Sequence, residues 1–163
     1  MLAILENDVI NVYNNENNLI GSIKSNSDLT KTEITTNNKI YKLIHNKLET
    51  KVFEGDQNVY NLKTNSFSGS TEILETNKKI TGEWGFKWAT KMIDNENNTL
   101  LKIRNEKQII HNNRYEIQMS NDNTTDFDIL LTLYRHLQAS RMKQTAVAIA
   151  SLVTTMIMLD IIY

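Results

Sequence analysis

Three histidines, His45, His111 and His136, are the first side chains to weigh for chemistry, and they fall on separate segments without metal-ligand spacing. Each reads as an ordinary strand or surface residue. There is no cysteine, which removes disulfides, thiolate metal sites and thiol nucleophiles together. No glycine-rich phosphate loop, no G-x-S-x-G and no carboxylate pair at an interpretable spacing is present, so no catalytic residue and no cofactor is expected. The residues most suited to binding are basic: Lys78, Lys79, Lys87 and Lys91 cluster around one hairpin and form a candidate strip for anions or lipid head groups. A strip of this kind is more often a solvated face. Gly82-Glu83-Trp84-Gly85-Phe86 sets aromatics beside glycines; a barrel corner with Trp84 and Trp88 at the core explains it better than a ligand groove.

The elements that carry these residues change character along the chain. Up to about Ser120, apolar and polar residues alternate, the mark of half-buried strands. Val9 to Tyr13 and Leu19 to Ile23 flank the turn Asn14-Asn15-Glu16-Asn17. Ile40 to Ile44, Leu48 to Phe53 and Val59 to Leu62 follow, then Phe86 to Ile93 and Thr99 to Arg104 around a turn over Asp94 to Asn98. Tyr115, Ile117 and Met119 alternate with Glu116 and Gln118. Ten or more short strands at such spacing predict an antiparallel sandwich or barrel. NENN recurs 80 residues apart, in Asn14–Ser25 and Asp94–Asn105. The echo fits either a duplicated half-barrel or one hairpin type used twice.

Beyond Thr124 the pattern turns helical. Thr125-Asp126-Phe127-Asp128 has the form of a capping box. Ile129, Leu130, Leu133, Tyr134 and Leu137 then make one stripe, with Arg135, His136 and Gln138 mostly opposite, predicting an amphipathic helix over 125–142 that lies on another surface. The segment 144–163 is apolar on every face and must be buried, in protein or in lipid. Its length of roughly 28 Å suits a bilayer span. Ser151, Thr154, Thr155 and Asp160 suit it less, since an Asp at the bilayer centre costs roughly 2.5–3.5 kcal/mol. A closed barrel of about twelve strands has an interior too wide for its own side chains, and 144–163 threaded through it as a plug is favoured over a tail anchor with 145–163 as the span.

The 163 residues suit a single domain, 1–163, with net charge -1 and so no general attraction to nucleic acid or to an anionic membrane. The N-terminus lacks the basic and apolar regions of a cleaved signal. Proline is absent while Asn, Ile and Lys abound, as AT-rich bacterial codon usage produces. A cytoplasmic protein, peripheral to the membrane if it binds lipid, is expected.

Ile80-Thr81-Gly82-Glu83-Trp84-Gly85-Phe86, the Asp94 turn, the Tyr115-Glu116-Ile117 strand and the closing pattern from Met142-Lys143 to Leu159-Asp160-Ile161-Ile162-Tyr163 resemble the tubby C-terminal-like superfamily, which includes the LURP-one-related proteins and the phospholipid scramblases. The resemblance covers the last half of the chain and the first half only in strand rhythm. It implies a mainly β fold, a closed antiparallel barrel of about twelve strands around a central hydrophobic C-terminal helix. It also implies a non-enzymatic binding or scaffold module for phospholipid head groups or the membrane surface. A protein partner is the alternative, through a dimer built on the Ile129–Leu137 stripe. No basic position aligns with tubby head-group ligands, and the palmitoylated cysteines of scramblases are missing. The scramblase calcium segment would fall on Asn121, Asp122, Asp126 and Asp128, residues that helix capping explains as well; no metal site is expected.

Overall fold

The computed structural model describes residues 1–83, 88–106, 113–120 and 123–142. It is a closed antiparallel barrel of twelve strands in which spatial order follows chain order. The strands are β1 (Leu2–Glu6), β2 (Val9–Tyr13), β3 (Leu19–Ser25), β4 (Lys31–Thr36), β5 (Ile40–Asn46), β6 (Glu49–Glu54), β7 (Gln57–Thr64), β8 (Thr71–Ile73), β9 (Lys79–Glu83), β10 (Ala89–Ile93), β11 (Thr99–Asn105) and β12 (Arg114–Met119). Pairing of Leu2 with Glu116 and Ala3 with Tyr115 closes the ring, so no strand edge is left to pair with another chain. Alternation puts Ala3, Val12, Ile23, Ile34, Leu43, Val52, Leu62, Ile73, Ile80, Met92, Ile103 and Ile117 in a single core to which every strand contributes.

One helix, α1 (residues 126–142), completes the described chain, and it runs through the barrel. Ile129 to Tyr134 are buried without a break, and His136 and Gln138 are buried as well. Its contacts reach right round the wall: Leu130 against Gly21 on β3, Phe127 against Tyr41 and Tyr60, and His136 against Thr90 and Asn105. The expected amphipathic helix over 125–142 is therefore present but not laid on a surface. His136 and Gln138 are enclosed too, His136 through Thr90 and Asn105 on the inner wall and Gln138 through Tyr134 on the helix itself. The sequence reading gave the central position to 144–163, which lies outside the described residues. The physical need is the same: eight strands give an interior that side chains fill, while twelve leave a central space that a helix about 25 Å long can occupy.

The ring also carries a repeat of four strands. Register shifts occur within β2–β3 at Val12/Tyr13, within β6–β7 at Val52/Phe53 and within β10–β11 at Met92/Ile93. The three bulges stand 40 residues apart in sequence, one in each unit of β1–β4, β5–β8 and β9–β12. The NENN echo belongs to this pattern. In both hairpins the Asn14 or Asp94 side chain accepts the N–H groups two and four residues on, each at 2.9 Å, and Asn17 and Asn97 take φ of 62° and 66°. A half-barrel duplication would relate strands six apart, whereas β2–β3 and β10–β11 lie eight apart. Bulges sharpen local twist and bending, and three at equal intervals spread the curvature of closure around the ring.

Candidate functional site

The two ends of the barrel interior differ in chemistry. The helix enters at the end formed by the β2–β3, β4–β5, β6–β7, β8–β9 and β10–β11 turns. There Phe127 packs on Tyr41 and Tyr60 with ring centroids 4.3 and 5.2 Å away. Asp128 Oδ2 accepts the Thr125 N–H at 2.9 Å while Thr125 Oγ1 accepts the Asp128 N–H at 3.1 Å, the reciprocal capping box that the residue types predict. Lys78 Nζ binds the same carboxylate at 2.7 Å. One turn on, Gly21 is required: a Cβ there would lie 2.4 Å from the Thr35 carbonyl oxygen and 2.6 Å from Leu130 Cδ1.

At the opposite end, where the helix leaves, the inner wall becomes polar. Ser25 Oγ and Thr32 Oγ1 stand 2.7 Å apart, Thr64 and Thr71 hydroxyls 3.0 Å apart, and His45 Nδ1 lies 2.8 Å from Thr50 Oγ1. The helix answers with Tyr134, Arg135, His136 and Gln138. Buried His136 bridges Thr90 Oγ1 at 3.0 Å and Asn105 Oδ1 at 2.7 Å, stacks on Trp88 at 4.5 Å and meets the edge of Tyr115. Because the Asn105 oxygen only accepts, Nε2 of His136 carries a proton. These contacts make His136 a structural strut. The Tyr134 hydroxyl donates to the Leu29 carbonyl at 3.3 Å and accepts from Gln138 Nε2 at 2.6 Å; burial pushes its pKa up to about 12.

Arg135 is the exception. Its guanidinium is deeply withdrawn from solvent, and burial lowers its pKa from the usual arginine value. Nη1 donates to Gln138 Oε1, but Nε has no hydrogen-bond partner. Among the described residues no carboxylate lies within ion-pair distance of it. It faces a cavity of about 680 Å³ lined also by Asp28, Leu29, His45, Lys47, Leu48, Thr64, Gln138, Arg141 and Met142. The cationic groups outnumber the single acid. His45 registers this field: burial first, and the Arg135 charge second, hold its pKa below the ordinary histidine value. A second cavity, of about 470 Å³, lies on another face of the helix, with Leu29 and Arg141 lining both.

Of the strip expected from sequence, Lys79 and Lys91 lie on the paired strands β9 and β10, with Lys78 in the turn before β9. Lys78 is engaged with Asp128, and Lys79 lies 3.7 Å from Glu72. Lys91 pairs in register with Thr81 on one side and Lys102 on the other, where Glu83 binds Lys102. Lys87 falls outside the described residues, as do Trp84, His111, Asn121 and Asp122. Asp128 is occupied by capping and Lys78, and among the described residues no group of three metal-ligating side chains gathers. Sequence reasoning passed over Arg135. A lone arginine on the polar face of a predicted surface helix carries no signal; only its enclosure makes it unusual.

The fold and this mouth define a meander β-barrel threaded by its own helix, with a cationic cavity where the helix leaves. No family model, curated protein or solved structure matches the chain.

Proposed function

We propose that this protein is a non-catalytic, cytoplasmic binding module that takes an anionic ligand, a phosphate or a phospholipid head group, in the cavity at the helix exit. One observation carries the reading: the enclosed guanidinium of Arg135 has no counter-charge among the described residues. Withdrawing an unpaired charge from water costs several kcal/mol unless a partner arrives, and the planar donors of arginine match phosphate and carboxylate oxygens. Lys47 and Arg141 line the same cavity and add to its attraction for anions. Exposed apolar side chains at this end, Phe67 above all with Leu48 and Met142, favour a ligand presented at a membrane surface.

A dimer through the Ile129–Leu137 stripe required that stripe to be exposed, and Ile129, Leu130, Leu133 and Tyr134 are buried; a protein partner elsewhere on the surface is the second reading. Among the described residues no helix is long and apolar enough to cross a membrane, and the expected span 145–163 lies outside them.

The test is flotation with vesicles of phosphatidylglycerol and phosphatidylcholine, alongside thermal melts in inorganic phosphate. Salt-sensitive vesicle binding, or a phosphate-dependent rise in melting temperature, that disappears in Arg135→Gln supports the proposal. No response to either, or an equal response in the variant, rejects it.

A further inference from the structure

The second cavity differs from the first in its lining. Leu5, Ile10, Ile23, Leu29, Tyr115 and Leu137 form its apolar surface. Its polar members, among them Asp8, Ser25 and Asn26, come from the β1–β2 and β3–β4 turns and adjoining strand ends, so they lie toward the barrel mouth. Ser140 also lines it, and the Ser140 Oγ is buried without a hydrogen-bond partner. The two spaces have Leu29 and Arg141 in common as lining residues. Leu29 holds this junction in a fixed shape. It takes a φ of 59°, is almost fully buried, and its carbonyl accepts the Tyr134 hydroxyl.

We propose that the ligand is a single-chain amphiphile with an anionic oxygen head, an alkyl phosphate or a fatty carboxylate. Its head lies against Arg135 and its chain passes Leu29 into the cavity walled by Ile10, Ile23 and Leu137. This rests on the anion-site reading and specifies its ligand class. Two features argue for one ligand rather than two. The cationic cavity and the one whose apolar side is formed by Leu5, Ile10, Ile23 and Leu137 share the lining residues Leu29 and Arg141. Pockets for such ligands combine an apolar lining with a few fixed polar groups, and here those groups are Arg135, His45 and the Ser140 hydroxyl. The geometry calls for no bond to be made or broken.

Calorimetric titration of the full chain with a length series tests this: inorganic phosphate, then butyl, octyl and dodecyl phosphate below their micelle concentrations. Dodecanoate and the uncharged dodecanol serve as companions. Affinity is expected to rise about two- to fourfold per methylene until the cavity is full and then to level. Dodecanoate should bind in the same range if the head is any anionic oxygen group, and far more weakly if it is a phosphate alone. Leu137→Trp, which fills the apolar space, should flatten the series while leaving the inorganic phosphate affinity within about threefold. The wild-type series stands without it if that variant does not fold. A flat series with intact phosphate binding overturns this inference and leaves the anion site standing. Dodecanol binding as well as dodecyl phosphate overturns the head-group assignment. Absence of binding by every anion removes the anion site and this inference together.

Discussion

Lys78 Nζ and Asp128 Oδ2 lie 2.7 Å apart although fifty positions separate them in the chain. The contact ties the β8–β9 turn to the first turn of the axial helix. The same carboxylate closes the capping box with Thr125, so one group satisfies the helix end, places a negative charge at the positive end of its dipole and fixes the helix to the wall. Asp128→Ala removes all three and is expected to lower stability by about 2–4 kcal/mol. Lys78→Met, which leaves the capping box, should lower it by less. Urea unfolding of both variants checks the order, and equal losses would contradict a dual role for Asp128.

Gly21 is a point of close approach between the helix and the wall. Gly21→Ala brings a methyl group into the Thr35 backbone oxygen and Leu130, and is expected to cost about 1–3 kcal/mol as overpacking. Gly82→Ala is the control, because its nearest neighbour would be Trp88 Nε1 at an ordinary 3.8 Å. A drop in thermal midpoint for the first variant, and little change for the second, is the expected result.

Arg135 should be a burden in the absence of ligand. Replacing it with the similarly shaped but neutral Met is expected to raise stability by about 1–3 kcal/mol in anion-poor buffer. The wild-type protein should approach the variant as phosphate is added, since a ligand that binds only the folded state stabilises it by mass action. Denaturant curves at several phosphate concentrations measure both, and a destabilised Arg135→Met would show that the guanidinium is satisfied as it stands.

His45 gives the fold a pH dependence of definite sign. Its folded pKa lies below the unfolded one, chiefly through burial and then through Arg135. Between those two values the unfolded chain binds more protons, so stability rises with pH. The contribution is complete above the unfolded value near 6.5 and is lost as pH falls toward the folded value. His45→Gln should flatten the stability profile between about pH 7 and pH 5. An anion beside Arg135 offsets the cationic charge and raises the His45 pKa, so ligand binding should take up protons, measurable as buffer-dependent heats.

Much of this architecture is written locally. Thr125 and Asp128 announce the helix start three residues apart, and the helix begins at 126. Val9–Tyr13 and Thr99–Asn105 alternate clearly enough to be read as strands. Lys31–Thr36 and Thr71–Ile73 escaped because threonines occupy inward positions on strands with few apolar side chains, leaving little alternation to detect. The four-strand repeat escaped for another reason. The NENN turns preserve it in two units, while the middle unit turns through Glu54-Gly55-Asp56-Gln57 and shows its kinship only in the position of the Val52 bulge.

The binding end was the least legible part. Lysines 78, 79, 87 and 91 are neighbours in sequence and drew attention as a strip, yet the first turn of the helix sets Asp128 beside Lys78 and strand pairing sets Glu72 beside Lys79. Arg135 lies ninety positions along the chain from His45, which is close to Lys47, and only closure of the barrel around the helix places them on one cavity.

By itself the sequence determined the strand rhythm, the helix start and the need for something apolar inside a wide barrel, because periodicity, capping and turn chemistry act over a few residues. That residues 126–142 lie inside the barrel was decided by tertiary structure. Residues 126–142 look amphipathic against water, but a wall lined with Thr50, Thr90 and Asn105 accepts their polar face as readily as solvent does. The same enclosure turned Arg135 from a surface cation into a buried charge with no acidic partner among the described residues, since desolvation depends on everything that closes around a residue and on nothing in its immediate sequence.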